Sequence, residues 1–185
     1  MKAKAYSKAA ALFAHVGDTS AEARAHIEAG DFHAAAEAFC RAKEWRSGGR
    51  AFLRAGDIPA AKEVLEKAGA WVELAGLLHD QGDTQGSLEA LGMIGEEDDA
   101  YEEAQTRIAD MHRASGHAQD AYRTYQALTE RRIGKGRVGP IVRRWVVAMA
   151  EILFTNGNKD QGLACLESLQ DHGLMTPQLQ ERIDA

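Results

Sequence analysis

The sequence predicts an all-α fold built from stacked helix hairpins, and three observations carry this prediction. Alanine, which loses no side-chain entropy in a helix, supplies 34 of the 185 residues. The β-branched residues that favour strands are scarce, with 7 Val and 8 Ile. The 18 glycines, each unfavourable inside a helix by about 1 kcal/mol, include a set that recurs along the chain. This composition argues against a β-sandwich, a barrel or a parallel sheet.

A turn of glycine followed by a polar residue recurs five times, at spacings of 26, 26, 34 and 41 residues. Glycine ends a helix readily because it adopts the left-handed conformation, and an aspartate after it can cap the next helix. Each turn therefore predicts two antiparallel helices. The turn glycines are Gly30, Gly56, Gly82, Gly116 and Gly157.

Residues of fixed size flank each turn glycine. The positions seven before and five after it are all small, and the position nine after it is always large. Small residues let two helices approach closely, while large ones fill the adjacent grooves. A single hairpin cannot bury its own apolar face, so the hairpins must stack. The sequence therefore predicts an α-solenoid of about five antiparallel helix hairpins with flanking N- and C-terminal cap helices.

The same pattern predicts the individual helices. The first helix ends at a turn at Gly17, and the next turn, at Gly30, follows only 13 residues later. We therefore predict that this helix is an N-terminal cap. We predict a single domain over 1–185, with short repeats over 19–96, longer repeats over 97–172 and a C-terminal cap over 173–185. The change of character near residue 97 marks either a bend or the meeting of two subdomains. The helices are predicted at residues 3–16, 20–29, 32–43, 45–55, 59–68, 70–80, 84–94, 99–115, 118–132, 140–156, 159–172 and 177–184.

One segment carries a family resemblance. Residues 45–68 read W-x2-G-G-x2-F-x3-G-D-x3-A-x3-L-x2-A, which resembles the tetratricopeptide-type (TPR-like) repeats. The resemblance extends over about residues 19–172. The 26-residue periods are shorter than is usual for that family, and Glu66-Lys67-Ala68-Gly69-Ala70-Trp71 is similar to the short helical repeats of clathrin and coatomer subunits.

The resemblance implies a binding surface on the concave face formed by the first helix of each hairpin. Four of the five implied exposed positions around Gly56 are basic, the fifth being Leu53, and three arginines four residues apart form a stripe. Like charges at this spacing repel, so acids of a neighbouring helix, such as Glu28, or an acidic ligand must compensate. A solvated basic helix face is the alternative. The predicted partner-binding residues are Arg24, Lys43, Arg46, Arg50 and Arg54.

Arg24 and Arg50 stand where the carboxylate-clamp version of these repeats carries asparagine, which argues against recognition of chaperone tails. A second basic segment precedes Pro140, and an acidic run covers 96–99. Each is interpreted either as a solvated face or as a polar docking site for a partner or another copy. The residues of this secondary basic loop are Arg131, Arg132, Lys135 and Arg137.

No catalytic or metal site is predicted. The seven histidines are scattered without a metal-binding motif. Gly134 to Gly139 match G-x-G-x-x-G, but the residues before them have a helical pattern, whereas a dinucleotide loop follows a strand. Cys40 and Cys165 are interpreted as small buried hydrophobes. We therefore expect no enzymatic activity, no cofactor and no metal.

The predicted function is a non-catalytic protein–protein interaction module, a scaffold or adaptor that binds a partner segment on its concave face. The alternative is a structural subunit that stacks within a larger multi-protein assembly or self-associates, so a homo-oligomer stays open. No apolar run is long enough to span a membrane. The net charge of −6 argues against nucleic acid as a partner, and two unpaired cysteines fit a cytoplasmic location.

Overall fold

A computed structural model of the protein describes residues 2–184, which form helices joined by turns and loops, with no strand among them. The chain divides into two compact units, Met1–Ala90 and Leu91–Ala185. The boundary lies close to residue 97, where the sequence changes character. The prediction of one domain over 1–185 stays a prediction, and its two end residues, Met1 and Ala185, lie outside the described residues.

Neighbours along the chain pack against each other from the first to the sixth helix of unit 1, which is a run of short helices. The last of them continues two residues past the unit boundary. The helices are α1 (Lys2–Val16), α2 (Thr19–Ala29), α3 (Phe32–Arg41), α4 (Trp45–Ala55), α5 (Ile58–Lys67), α6 (Trp71–Asp80) and α7 (Thr84–Gly92).

Unit 2 repeats this arrangement with longer helices, and here too chain neighbours pack together. Its core surrounds Trp145, Tyr125, Leu166 and Leu169, each at most 1% exposed. The helices are α8 (Tyr101–Ala114), α9 (Ala118–Gly134), α10 (Pro140–Thr155), α11 (Lys159–Asp171) and α12 (Pro177–Asp184).

The all-α hairpin fold is therefore confirmed, and every predicted helix is present with its ends within two residues of the prediction. All five turn glycines have the left-handed backbone, with φ between 78° and 82°. The aspartates after them cap the following helix: the carboxylates of Asp31, Asp57 and Asp83 each accept a hydrogen bond from the backbone N–H three residues on. The turns therefore form for the physical reason that the sequence indicates.

The small positions around each turn are where the helices touch. All ten are buried: Ala23, Gly49, Ala75, Ala109 and Ala150 before the turns, and Ala35, Ala61, Ser87, Ala121 and Gly162 after them. A Cβ atom at Gly49 would lie only 2.6 Å from Cδ2 and 2.7 Å from Cγ of Leu65, a fully buried side chain of α5. Helices α4 and α5 thus approach more closely than alanine permits.

None of the described helices is both long enough and apolar enough to cross a lipid bilayer.

Because α4 and α5 approach each other closely at Gly49, replacing glycine by alanine should have opposite effects on stability at Gly49 and at Gly76. Gly49→Ala forces a methyl group into Leu65, and overpacking of about 1–3 kcal/mol outweighs the gain in helix propensity of about 1 kcal/mol. Gly76→Ala, inside α6 with no atom within 4 Å of the added Cβ, brings the propensity gain alone. In urea unfolding monitored by circular dichroism, we expect Gly49→Ala to lower the free energy of unfolding and Gly76→Ala to raise it. A stabilised Gly49→Ala variant would contradict the packing argument.

Candidate protein-binding surfaces

Unit 1 contains an open groove between α2 and α4, the first helices of two successive hairpins. Its volume is about 390 Å³. Phe39 of α3 and Ala51 of α4 are 8% and 2% exposed and give the groove an apolar floor. The lining residues are Arg24, Ile27 and Glu28 of α2, Phe39 of α3, and Ser47, Arg50, Ala51 and Arg54 of α4.

Three of the five predicted partner-binding residues line this groove: Arg24, Arg50 and Arg54. Arg46 is exposed on α4, as Arg50 and Arg54 are, but it does not line the groove. Lys43 lies in the turn between α3 and α4, where its φ of 61° matches the 60° of Gly69 at the equivalent place in the next repeat. Lys43 therefore occupies a position where the turn requires a left-handed residue.

Glu73 of α6, in the same unit, compensates part of the positive charge of the arginine stripe on α4, which consists of Arg46, Arg50 and Arg54. Its Oε1 lies 2.6 Å from Nη2 of Arg50 and 3.5 Å from Nε of Arg46. The sequence suggested Glu28 for this role, but Glu28 lines the groove instead. One carboxylate thus serves two guanidinium groups, which leaves this face with an excess of positive charge.

The other two groove arginines have different surroundings. The guanidinium of Arg54 lies over the ring of Phe32, 4.0 Å from its centroid, a cation–π contact that leaves its charge uncompensated. Arg24 is exposed and forms no ion pair with any residue that the structure describes. The groove therefore presents three guanidinium groups and the single carboxylate of Glu28.

In unit 2, two residues of the secondary basic loop pair with acidic residues in and just after the acidic run. Arg131 donates to the Glu96 carboxylate at 2.7 Å and to its backbone carbonyl at 2.8 Å, while Arg132 donates to Glu102 at 2.8 Å. Both ion pairs involve the last turn of α9, which continues to Gly134, two residues past its predicted end at 132. Lys135 and Arg137 are exposed in the loop that follows, and partner binding there stays a prediction.

A row of polar side chains along α8 joins α9 and α10. The indole N–H of Trp145, which is fully buried, donates to Oγ1 of Thr106 at 3.1 Å. One turn on, Asp110 accepts hydrogen bonds from the Tyr125 hydroxyl and, at 2.7 Å, from Arg144. Burial, together with the hydrogen bond to Asp110, raises the pKa of Tyr125 far above its ordinary value. We call this row (Glu102, Thr106 and Asp110) the α8 polar row.

The structure also locates the glycine-rich motif, the two cysteines and the potential metal ligands. Gly134 is the last residue of helix α9 and the rest of this motif follows the helix, so a helix stands where a dinucleotide loop needs a strand. Desolvation by burial raises the pKa of the Cys40 and Cys165 thiols, which keeps both protonated at neutral pH. Among the side chains that the structure describes, no three of His, Cys, Asp or Glu are close enough together to hold a metal ion.

Helix α1 exposes apolar side chains. Among the described residues, six large hydrophobic side chains are exposed, and four of them lie on α1: Tyr6, Leu12, Phe13 and Val16.

Comparison with solved structures supports the fold. The chain is similar to the crystal structure of MamA protein, with a TM-score of 0.53 and 15% identity over 91% of this chain and 90% of that one. It is similar to the TPR-like repeats of a kinesin light chain from Podosopora anserina, with a TM-score of 0.52 and 15% identity over 91% and 93%. For BtubC (BKLC) from P. vanneervenii the TM-score is 0.55, with 15% identity over 100% and 91%.

No protein-family model matches the sequence, and no curated protein matches it. At this level of identity the similarity concerns the fold alone. The chain has the fold of the TPR-like helical-repeat proteins.

The α8 polar row predicts a specific loss of stability. Thr106→Val keeps the shape of the side chain but leaves the buried indole N–H of Trp145 without an acceptor, which should lower the free energy of unfolding by about 1–3 kcal/mol. Thr155→Val at the exposed end of α10 removes only a bond to the backbone of Glu151 and should change it little. Urea unfolding of both variants is the measurement, and equal effects would show that the buried bond is not the cause.

Proposed function

We propose that this chain is a non-catalytic protein-interaction module, a scaffold or adaptor that binds an acidic segment of a partner protein in the groove between α2 and α4. The observation that supports this most is the composition of the groove: the guanidinium groups of Arg24, Arg50 and Arg54 surround an apolar floor, with one carboxylate beside them. The general use of TPR-like folds in protein interaction agrees with the proposal.

The chemistry of the groove favours carboxylates on an extended chain. A guanidinium group offers paired N–H donors that match the two oxygens of a carboxylate. Between such contacts, apolar side chains of the same segment can cover Phe39 and Ala51. Because the arginines are exposed, their attraction for the partner is screened by salt, and binding must weaken as ionic strength rises.

Glu73 has a defined role in this proposal, because it competes with the ligand. Its carboxylate already holds Arg50 at 2.6 Å, so a bound segment must draw this guanidinium away. Removing the charge of Glu73 frees both Arg50 and Arg46 for the partner. Arg24 has no such internal partner among the described residues, so reversing its charge breaks no ion pair.

Two substitutions with opposite effects test the groove. With a fluorescein-labelled peptide of alternating Glu and Leu as the probe, Arg24→Glu should weaken binding by about tenfold or more, since a charge-assisted hydrogen bond contributes about 1.5–3 kcal/mol. Glu73→Gln should tighten binding of the same peptide. Fluorescence anisotropy at two salt concentrations measures both effects.

The matched control is Glu63→Gln on α5, which changes the net charge as Glu73→Gln does. Glu63 is exposed and forms no ion pair with any described residue. If Glu63→Gln tightened binding as much as Glu73→Gln, the effect would come from overall charge, and an unchanged affinity in Arg24→Glu would rule the groove out.

A second function, membership of a larger assembly, is favoured by the exposed apolar side chains of α1. A pairing of two copies through α1 would leave its lysines without acidic partners, because α1 contains no acidic residue, so we expect association with other subunits and not with itself. Sedimentation velocity over a wide concentration range should therefore show one species whose sedimentation coefficient does not rise with concentration. A rising coefficient would indicate self-association.

A further inference from the structure

Among the helices that the structure describes, α1 packs chiefly on α2. Its inner side contacts α2, where Ala10 is fully buried. On its outer side, Leu12 and Val16 are 68% and 72% exposed. Side chains of this kind are usually covered in a stack of helices, because each helix of a solenoid lies between two neighbours.

The outer side of α1 has the pattern of a helix-packing surface. Ala5, Ala9, Leu12 and Val16 follow at spacings of four, three and four residues, which places them in one strip along the helix. Two small residues, Ala5 and Ala9, are followed in this strip by two larger ones, and both sizes also occur at the buried contacts within the hairpins of unit 1. The strip therefore has the features that let a further helix approach closely. We call these four residues the α1 strip.

The charges beside the α1 strip are all positive. Lys2, Lys4 and Lys8 are exposed, and α1 contains no acidic residue. None of the three lysines forms an ion pair with a residue that the structure describes. By spacing, Lys8 lies one turn before Leu12, and Lys2 lies three residues before Ala5 on the other edge of the strip. A helix laid along the strip would meet positive charge on both sides.

We propose that the α1 strip is a docking site for an acidic amphipathic helix of a partner protein, which packs on α1 as α1 packs on α2. The apolar face of the partner helix covers Leu12 and Val16, and its flanking carboxylates pair with the lysines. This proposal deepens the second function given above, membership of an assembly, and is independent of the groove between α2 and α4.

The pattern fits a helix better than a lipid surface. A helix that lies in a membrane interface inserts several large apolar side chains into the acyl region. Among the large apolar side chains of α1, only Leu12 and Val16 are more than half exposed, at 68% and 72%, whereas Tyr6 and Phe13 are 38% and 37% exposed. Ala5 and Ala9, which precede them in the strip, provide close approach to another backbone but little area for insertion.

Two designed peptides distinguish the chemistry of the partner. Both are helices of about 20 residues, long enough to be helical in water, with leucine at heptad positions a and d. One carries glutamate at e and g, and the other carries lysine there. We expect the full chain to bind the glutamate peptide at least about tenfold more tightly than the lysine peptide, measured by fluorescence anisotropy.

Substitutions in α1 test whether the glutamate peptide binds at the α1 strip. Leu12→Ser combined with Val16→Ser should weaken binding of the glutamate peptide by about tenfold or more, and Lys4→Glu combined with Lys8→Glu should reverse the preference in favour of the lysine peptide. All four positions are exposed, so the circular dichroism spectrum should not change. Met93→Ser, which removes an exposed apolar side chain elsewhere, is the matched control and should leave binding intact.

Four outcomes would overturn the proposal: equal affinity for both peptides, binding that survives in the Leu12→Ser, Val16→Ser variant, binding only to vesicles of phosphatidylserine and phosphatidylcholine, or a dimer that this variant abolishes. Arg24→Glu separates this site from the groove. If that substitution removes binding of the glutamate peptide while the α1 variants retain it, the groove proposal stands and the α1 proposal fails.

Discussion

The close approach of the two helices within each hairpin is the constraint on which the rest of the structure depends. Ten small residues around the turns are buried, and at Gly49 even a methyl group would collide with Leu65. Contact at these few positions holds neighbouring helices together, so the other faces of the helices need not contribute to the core. Charged residues can therefore collect on the exposed face of α4 without disturbing the packing beneath it.

Unit 2 has the same small contacts and adds larger side chains to them, and these side chains change the role of its polar and charged residues. Trp145 and Tyr125 fill the space between longer helices, but each brings a polar atom into the interior that needs a partner. Thr106 and Asp110, on successive turns of α8, supply those partners. The Asp110 carboxylate also pairs with Arg144. The α8 polar row therefore provides hydrogen-bond partners for buried atoms and also neutralises a charge at the surface.

The features of the fold that depend on local sequence were predictable. Left-handed glycines, aspartate caps and the size of residues at fixed offsets all act within a few residues of a turn, so a single sequence reveals them. The charge pairs were not predictable. Glu73 reaches Arg50 from the next hairpin, 23 residues away, and Arg131 reaches Glu96 across 35. Which acidic residue pairs with which basic residue depends on how each helix is rotated about its axis. The positions counted from the turn glycines do not determine that rotation.

The internal pair between Arg50 and Glu73 also bears on which ligands the proposed groove would select. A carboxylate that is part of the fold is present at a high effective concentration, so a ligand with a single acid gains little by replacing it. A segment with two or more acids can, in addition, engage Arg24, which has no ion-pair partner among the described residues, and Arg54, whose charge rests only on the face of Phe32. The groove would then discriminate by the number of acids in the segment, and Glu73 would set the threshold.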